Sequence, residues 1–136
     1  RNNHERECFK KILQLENIYS CDISAESEAD YILDFNFLPS EWLAKWDIVF
    51  SNSLDHALNP TFAIFSWLDI IKPGGHLVLG IDTSEIELSL SDCNKFTHKS
   101  VCSFLKSLQD DNKIHYSSEF LPTAEIDWPH YLIRKT

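Results

Sequence analysis

Methionine is absent from the 136 residues, and the chain opens on Arg1. An intact gene product begins with Met, so a processed or partial product is expected. Glycine is almost as scarce, with only Gly74, Gly75 and Gly80. The G-x-G-x-x-G fingerprint of dinucleotide-binding units is therefore missing, which speaks against a nicotinamide-dependent oxidoreductase. The four cysteines, Cys8, Cys21, Cys93 and Cys102, form no CxxC pair, so the usual spacing of a zinc site is lacking. His4, His76, His98, His115 and His130 are scattered without a ligand spacing such as i, i+4 on one helix, and no metal is expected. No apolar run is long enough to cross a bilayer. The polar start, residues 1–6, has no apolar stretch behind it, unlike a signal peptide. Positive charge is also short. Twelve Lys and Arg stand against 21 Asp and Glu, a net charge of -9. A field of that sign repels phosphate backbones and anionic lipid. Nucleic-acid and membrane partners are disfavoured, and a cytoplasmic protein with reduced thiols is expected.

What is present suits one globular domain spanning residues 1–136. Hydrophobic residues make up 43% of the chain, and nine Phe, four Trp and four Tyr supply bulky core material. Residues 5–16 place Cys8, Phe9, Ile12 and Leu13 at helical spacing, with Asn17 as a stop. Residues 18–24 and 31–39 read as strands. Cys21 in the first of these, and Cys102 further on, read as buried small hydrophobes. Ser40 is placed to cap a short helical turn. Residues 46–53 give the clearest strand, whose run Ile48-Val49-Phe50 suits a parallel strand covered on both faces. Asn59-Pro60 opens a helix with Phe62, Ile64, Phe65, Leu68, Ile70 and Ile71 on its apolar face. Lys72-Pro73-Gly74-Gly75 ends that helix in a tight turn where glycine allows positive φ. A buried strand over residues 76–82 completes a βαβ unit. Residues 83–95 read as a loop, 97–109 as an amphipathic helix, and 113–121 and 129–136 as an expected antiparallel pair.

These alternating elements give the α/β class without a function. Specific residues go further. Asp47-Ile48-Val49-Phe50-Ser51-Asn52-Ser53-Leu54-Asp55-His56 resembles the fourth-strand motif of class I S-adenosylmethionine-dependent methyltransferases of the type 11 kind. Leu68-Asp69-Ile70-Ile71-Lys72-Pro73-Gly74-Gly75 resembles the family's turn before the fifth strand. Ser20-Cys21-Asp22-Ile23 matches the end of its second strand, and Asp34-Phe35 the acidic-then-apolar pair after its third. The resemblance implies a Rossmann-like, mostly parallel sheet with helices on both faces and a C-terminal antiparallel hairpin. The family's first strand and part of its Gly-rich loop have no counterpart. Arg1-Asn2-Asn3-His4-Glu5 is similar to the far end of a variant loop, with Asn3 in a glycine position.

The resemblance also implies S-adenosyl-L-methionine as cofactor. Asn2 and Glu5 would belong to the remnant of the loop. Asp22 would accept hydrogen bonds from the ribose hydroxyls, beside Ile23, as a carboxylate suits two donors at once. Asp34 would accept the adenine amine while Phe35 packs on the base. Asn52, Ser53, Asp55 and His56 would line the methyl-transfer region, and Asp22, Asp34 and Asn52 would gather around one nucleoside-shaped cleft. Each has a plainer alternative: loop aspartates that cap nearby amides, a core phenylalanine, and Asp55 and His56 closing the loop into the next helix. For His56 the structural role is preferred over a general base, because spacing alone never establishes a base. The segment Trp128-Pro129-His130-Tyr131 is a candidate for the acceptor side that the sequence does not decide. The loops around the acceptor carry Ser, Asp, Glu and Asn without a basic cluster, so a small-molecule acceptor is expected. A non-catalytic binding or scaffold module is the competing expectation. The acceptor and the oligomeric state are not legible.

Overall fold

The computed structural model describes residues 4–82, 94–120 and 129–136. Asn2, Cys93, Trp128 and most of the expected loop over residues 83–95 lie outside them. The chain divides into two compact units, residues 1–38 and 39–136.

The first unit opens with α1 (His4–Leu13), which carries Glu5 and Glu7 in its first turn and Lys10 and Lys11 in its last. Those charges oppose the helix dipole at both ends. The helix stops at Leu13, four residues before Asn17, and Gln14 just after it adopts a left-handed φ of 54°. No residue of α1 is buried. Two very short strands follow, β1 (Cys21–Asp22) and β2 (Tyr31–Ile32). They pair in parallel, Cys21 opposite Tyr31 and Asp22 opposite Ile32. Strands of seven and nine residues were expected from residues 18–24 and 31–39. Local side-chain bonding explains the shortening. Asp22 Oδ1 accepts from Ser24 N at 2.8 Å, and Asp34 Oδ1 accepts from Asn36 N at 2.8 Å. Such Asx turns offer the backbone an alternative to the ladder just where each strand should continue. Cys21, expected to be buried, is exposed.

The second unit begins with a 3-10 turn, Ser40–Trp42. Ser40 does not cap it: Pro39 holds the cap position and no side chain bonds the turn. Then come β3 (Trp46–Ser51), a 3-10 turn (Leu54–His56), α2 (Pro60–Ile70) and β4 (Ile71–Gly80). They are followed by α3 (His98–Asp110), β5 (Ile114–Phe120) and β6 (His130–Lys135). Asn59 caps α2 through its side chain, accepting from Phe62 N at 3.0 Å, with Pro60 at the first position. Thr97 and Ser100 form a reciprocal capping box on α3. Asn112, in left-handed conformation, turns the chain out of that helix.

The strand order is β3-β4-β6-β5, with β3 and β4 parallel and β6 antiparallel to both β4 and β5. The expected hairpin is thus present, and its returning strand lies between β4 and β5. The α/β, Rossmann-like architecture holds. The expected single, mostly parallel sheet differs: among the described residues there are two sheets, and two of the four ladders are antiparallel. No described segment pairs with both β1 and β3, so the two sheets share no ladder.

The Pro-Gly-Gly segment behaves differently from a simple turn. Helix α2 passes directly into β4 at Ile71, and residues 72–75 bulge out of the ladder. Trp46 pairs with Ile71, but the next partners are Ile48 and His76. Lys72 Nζ reaches across the bulge to Asp47 Oδ1 at 2.8 Å. Only Gly74 uses positive φ, at 80°. Gly75 is needed for close approach instead, since a Cβ there would stand 2.6 Å from the Asp47 carbonyl oxygen and 2.7 Å from Ile71 Cγ2.

The core lies on one face of this sheet. Leu77 and Leu79 of β4 face Ile133 and Tyr131 of β6, and all four are fully buried. Val101, Leu105 and Leu108 of α3 and Ala63, Ile64, Trp67, Leu68 and Ile70 of α2 are buried as well. Two expectations fail here. Phe62 on α2 is 46% exposed, and Ile48 is 56% exposed. Ile48 belongs to the edge strand of the four-stranded sheet and points to the face opposite Leu77 and Leu79.

Candidate functional site

Open α/β sheets bind ligands outside the carboxyl ends of their parallel strands. In the first unit that edge carries Asp22 and Asp34. Asp22 is the last residue of β1, half-buried, with one carboxylate oxygen held by Ser24 N. That bond orients the Asp22 carboxylate. The neighbouring Ile23 is 67% exposed. Asp34 stands two residues beyond β2, and its Oδ1 takes both Asn36 N at 2.8 Å and Asn36 Nδ2 at 2.7 Å. Phe35 is half-buried. Glu5 sits inside the first turn of α1 and is exposed. Asn2 lies outside the described residues.

The unit also contains a polar clamp that no sequence motif signalled. Asp30 Oδ2 accepts from Ser20 N at 2.8 Å and from Ser20 Oγ at 3.1 Å, and Asp30 Oδ1 pairs with the Arg6 guanidinium from α1. The Arg6 hydrogen bond holds the Asp30 carboxyl below the usual carboxylate range. The clamp fixes the entry to β1 and β2 and so the strand ends that carry Asp22 and Asp34.

In the second unit the corresponding edge follows β3. Asn52 and Ser53 are half-buried and linked, Ser53 Oγ donating to Asn52 Oδ1 at 3.2 Å. Ser51 Oγ accepts from Ser53 N at 3.3 Å. The chain then enters the turn with Asp55 and His56. Asp55 Oδ1 and His56 Nε2 are 3.9 Å apart, too far for a hydrogen bond. Asp55 therefore does not orient the imidazole as a partner orients a catalytic base. The turn is instead tied by Asn94, whose backbone N–H donates to Asp55 O at 3.1 Å and whose side chain donates to Asp55 O and Ala57 O. Asn94 was not marked by the sequence, because a single Asn in a polar stretch carries no spacing signal.

The donor set suits the implied cofactor chemically. A nucleoside presents hydroxyl and amine hydrogens, and the strand ends present carboxylates and amides to accept them. Among the described residues no group of three or more His, Cys, Asp or Glu could hold a metal ion.

The comparisons separate sequence from shape. No family model matches the chain, and no curated protein matches it. Solved structures do. One is 1,6-didemethyltoxoflavin-N1-methyltransferase from Burkholderia thailandensis, solved with 1,6-didemethyltoxoflavin and S-adenosylhomocysteine; it superposes with a TM-score of 0.60 at 13% identity, over 78% of this chain and 50% of that one. A putative methyltransferase complexed with the Trm112 methyltransferase activator of Haloferax volcanii gives 0.64 at 15% identity, over 98% and 79%. A putative type 11 methyltransferase from Sulfolobus solfataricus gives 0.58 at 15% identity, over 96% and 79%. The chain has the class I methyltransferase fold. It matches half the length of the Burkholderia enzyme and about four fifths of the other two. At these identities the methyltransferase fold is what is shared, and the residues of the site stand on their own geometry.

Proposed function

We propose that the protein transfers a methyl group from S-adenosyl-L-methionine to a small-molecule acceptor. The observation that carries this is Asp22, a carboxylate at the end of a parallel strand, oriented by Ser24 N, in a chain of methyltransferase fold. When bound, the cofactor supplies an already activated methyl group. The chain's own residues then need only bind, orient and exclude water. Asp22 accepts the ribose hydroxyls, beside Ile23. Asp34 accepts the adenine amine next to Phe35, while its Oδ1 also keeps Asn36 in place. Glu5, in the first turn of α1, belongs with Asn2 on the cofactor side of this reading. Asn52 and Ser53 offer an amide and a hydroxyl on the acceptor side, and Asp55 and His56 shape that loop with Asn94 behind them. A proton acceptor is required only where the methylated group must lose a proton.

A cytoplasmic setting, where thiols stay reduced, fits Cys8, Cys21 and Cys102, which form no disulfide among the described residues. Among the described residues, no helix is long and apolar enough to cross a membrane. The excess of negative charge favours a small acceptor over a nucleic acid.

A second role, a non-catalytic methyltransferase-like binding module, is favoured by one observation: Asp34 Oδ1 is already engaged twice by Asn36. Calorimetric titration of the full chain with S-adenosylhomocysteine separates the two. A methyl-transfer role predicts micromolar binding, weakened at least tenfold in Asp22→Ala, the loss of a charge-assisted hydrogen bond of roughly 1.5–3 kcal/mol. No heat from the folded protein would favour the binding module. A parallel titration with NAD is expected to be silent.

A further inference from the structure

We propose that His130 is a ligand-contacting residue of the site, with its imidazole forming the wall at the carboxyl end of β4. This rests on the methyl-transfer role above and adds a residue to it. His130 opens β6, and its Cα partner is Gly80, the last residue of β4. Its side chain projects to the face of the sheet opposite Tyr131, because neighbours along a strand alternate. Tyr131 faces the core, fully buried, with its hydroxyl 2.9 Å from His98 Nδ1. His130 faces the other way, half-buried, and its ring stacks on Phe50 of β3 at 6.4 Å with 17° between planes. Phe50 is two residues ahead of Asn52.

One imidazole thus spans the ends of both parallel strands, at the edge where ligands bind in such sheets. Gly80 is the second, independent sign. A Cβ there would stand 2.9 Å from His130 Nε2 and 3.2 Å from Cδ2. Its φ lies outside the left-handed region, so conformational freedom does not explain the glycine. Glycine inside a strand marks a place where another group approaches the backbone closely. Here it lets the imidazole lie across the strand instead of standing away from it. An apolar face needing only a stacking partner would be served by Phe at this position. Histidine adds two ring nitrogens at the carboxyl end of β4, beside Gly80 and Phe50. The partner chemistry is a polar group of the ligand, close to where the methyl group is exchanged.

The test is an NMR titration of the full chain with S-adenosylhomocysteine, observing imidazole carbon-bound protons. The His130 resonance is expected to shift with the same dissociation constant that calorimetry gives. His115, exposed on β5 opposite Arg134, should stay still. Two variants sharpen the result. His130→Phe keeps the stack on Phe50 and removes the nitrogens; binding should weaken roughly three- to tenfold, as for one lost hydrogen bond, with the melting temperature unchanged. Gly80→Ala leaves the imidazole but displaces its ring, and should weaken binding similarly. If S-adenosylhomocysteine binds in an Asp22-dependent manner while His130 does not respond and His130→Phe binds normally, the His130 assignment fails alone. If nothing binds, the methyl-transfer role fails and takes the assignment with it.

Discussion

Residues 1–38 and 39–136 both contain helix and parallel strand, yet they are held by different forces. Every described apolar residue that is buried belongs to the second unit. There β4 has a neighbour on each side, and α2 and α3 bring rows of apolar side chains. In the first unit Ile12, Leu13, Leu15, Ile23, Ile32 and Phe37 are exposed, and the strands pair over two residues each. Polar contacts stand out in it, the Asx turns of Asp22 and Asp34 and the Arg6–Asp30–Ser20 clamp, beside the ring contact of Tyr19 with Tyr31. The difference teaches that strand ends can be positioned without a buried core beneath them. The residues proposed for the cofactor side and those proposed for the acceptor side thus rest on supports of unequal strength.

The largest effect expected from this contrast is in the core of the second unit. Leu105→Ala removes a fully buried side chain and should cost about 2–5 kcal/mol in denaturant unfolding. The matching change in the first unit, Ile12→Ala at 74% exposure, should stay within about 0.5 kcal/mol. Equal losses would break the comparison. Gly75→Ala comes next, since the obstructing atom is the backbone oxygen of Asp47. Overpacking of that kind costs about 1–3 kcal/mol, read as a lowered unfolding midpoint. Asn59→Ala removes the side-chain cap of α2 and should cost about 1 kcal/mol by the same measurement. The smallest effect belongs to the clamp. Because Arg6 lowers the Asp30 carboxyl in the folded state, that contribution is present above the ordinary Asp range. It fades as pH falls through the lowered value. Asp30→Asn should therefore melt slightly below the parent at pH 7, with the gap closing in acid. A gap that widens in acid would contradict the sign.

Much of the second unit was legible in the residues. The apolar run after Asp47, Asn59-Pro60, and the amphipathic row Val101, Leu105, Leu108 are local patterns that structure obeys directly. The bulge at residues 72–75 was not legible as such, because a Pro-Gly-Gly sequence reads as a turn whether or not the flanking residues share a ladder. Phe62 and Ile48 were misjudged for a related reason: apolar spacing shows which residues share a face, and the edge position of a strand is a tertiary fact. In the first unit, residues 18–24 and 31–39 have strand composition, but aspartate side chains competing for backbone amides cut the pairing short. For the candidate site, Asp22 ends β1, Asn52 directly follows β3 and Asp34 lies two residues beyond β2. Asn94 and the stacking of His130 on Phe50 needed coordinates, since single polar residues far apart in sequence announce no partner.

The most direct test follows the backbone amides of the full chain by heteronuclear NMR during titration with S-adenosylhomocysteine. The amides of Asp22 and Asp34 should both shift, with one common dissociation constant. A shift at one of the two without the other, or none at all from a folded protein, would contradict the assignment of these strand ends to a nucleoside ligand.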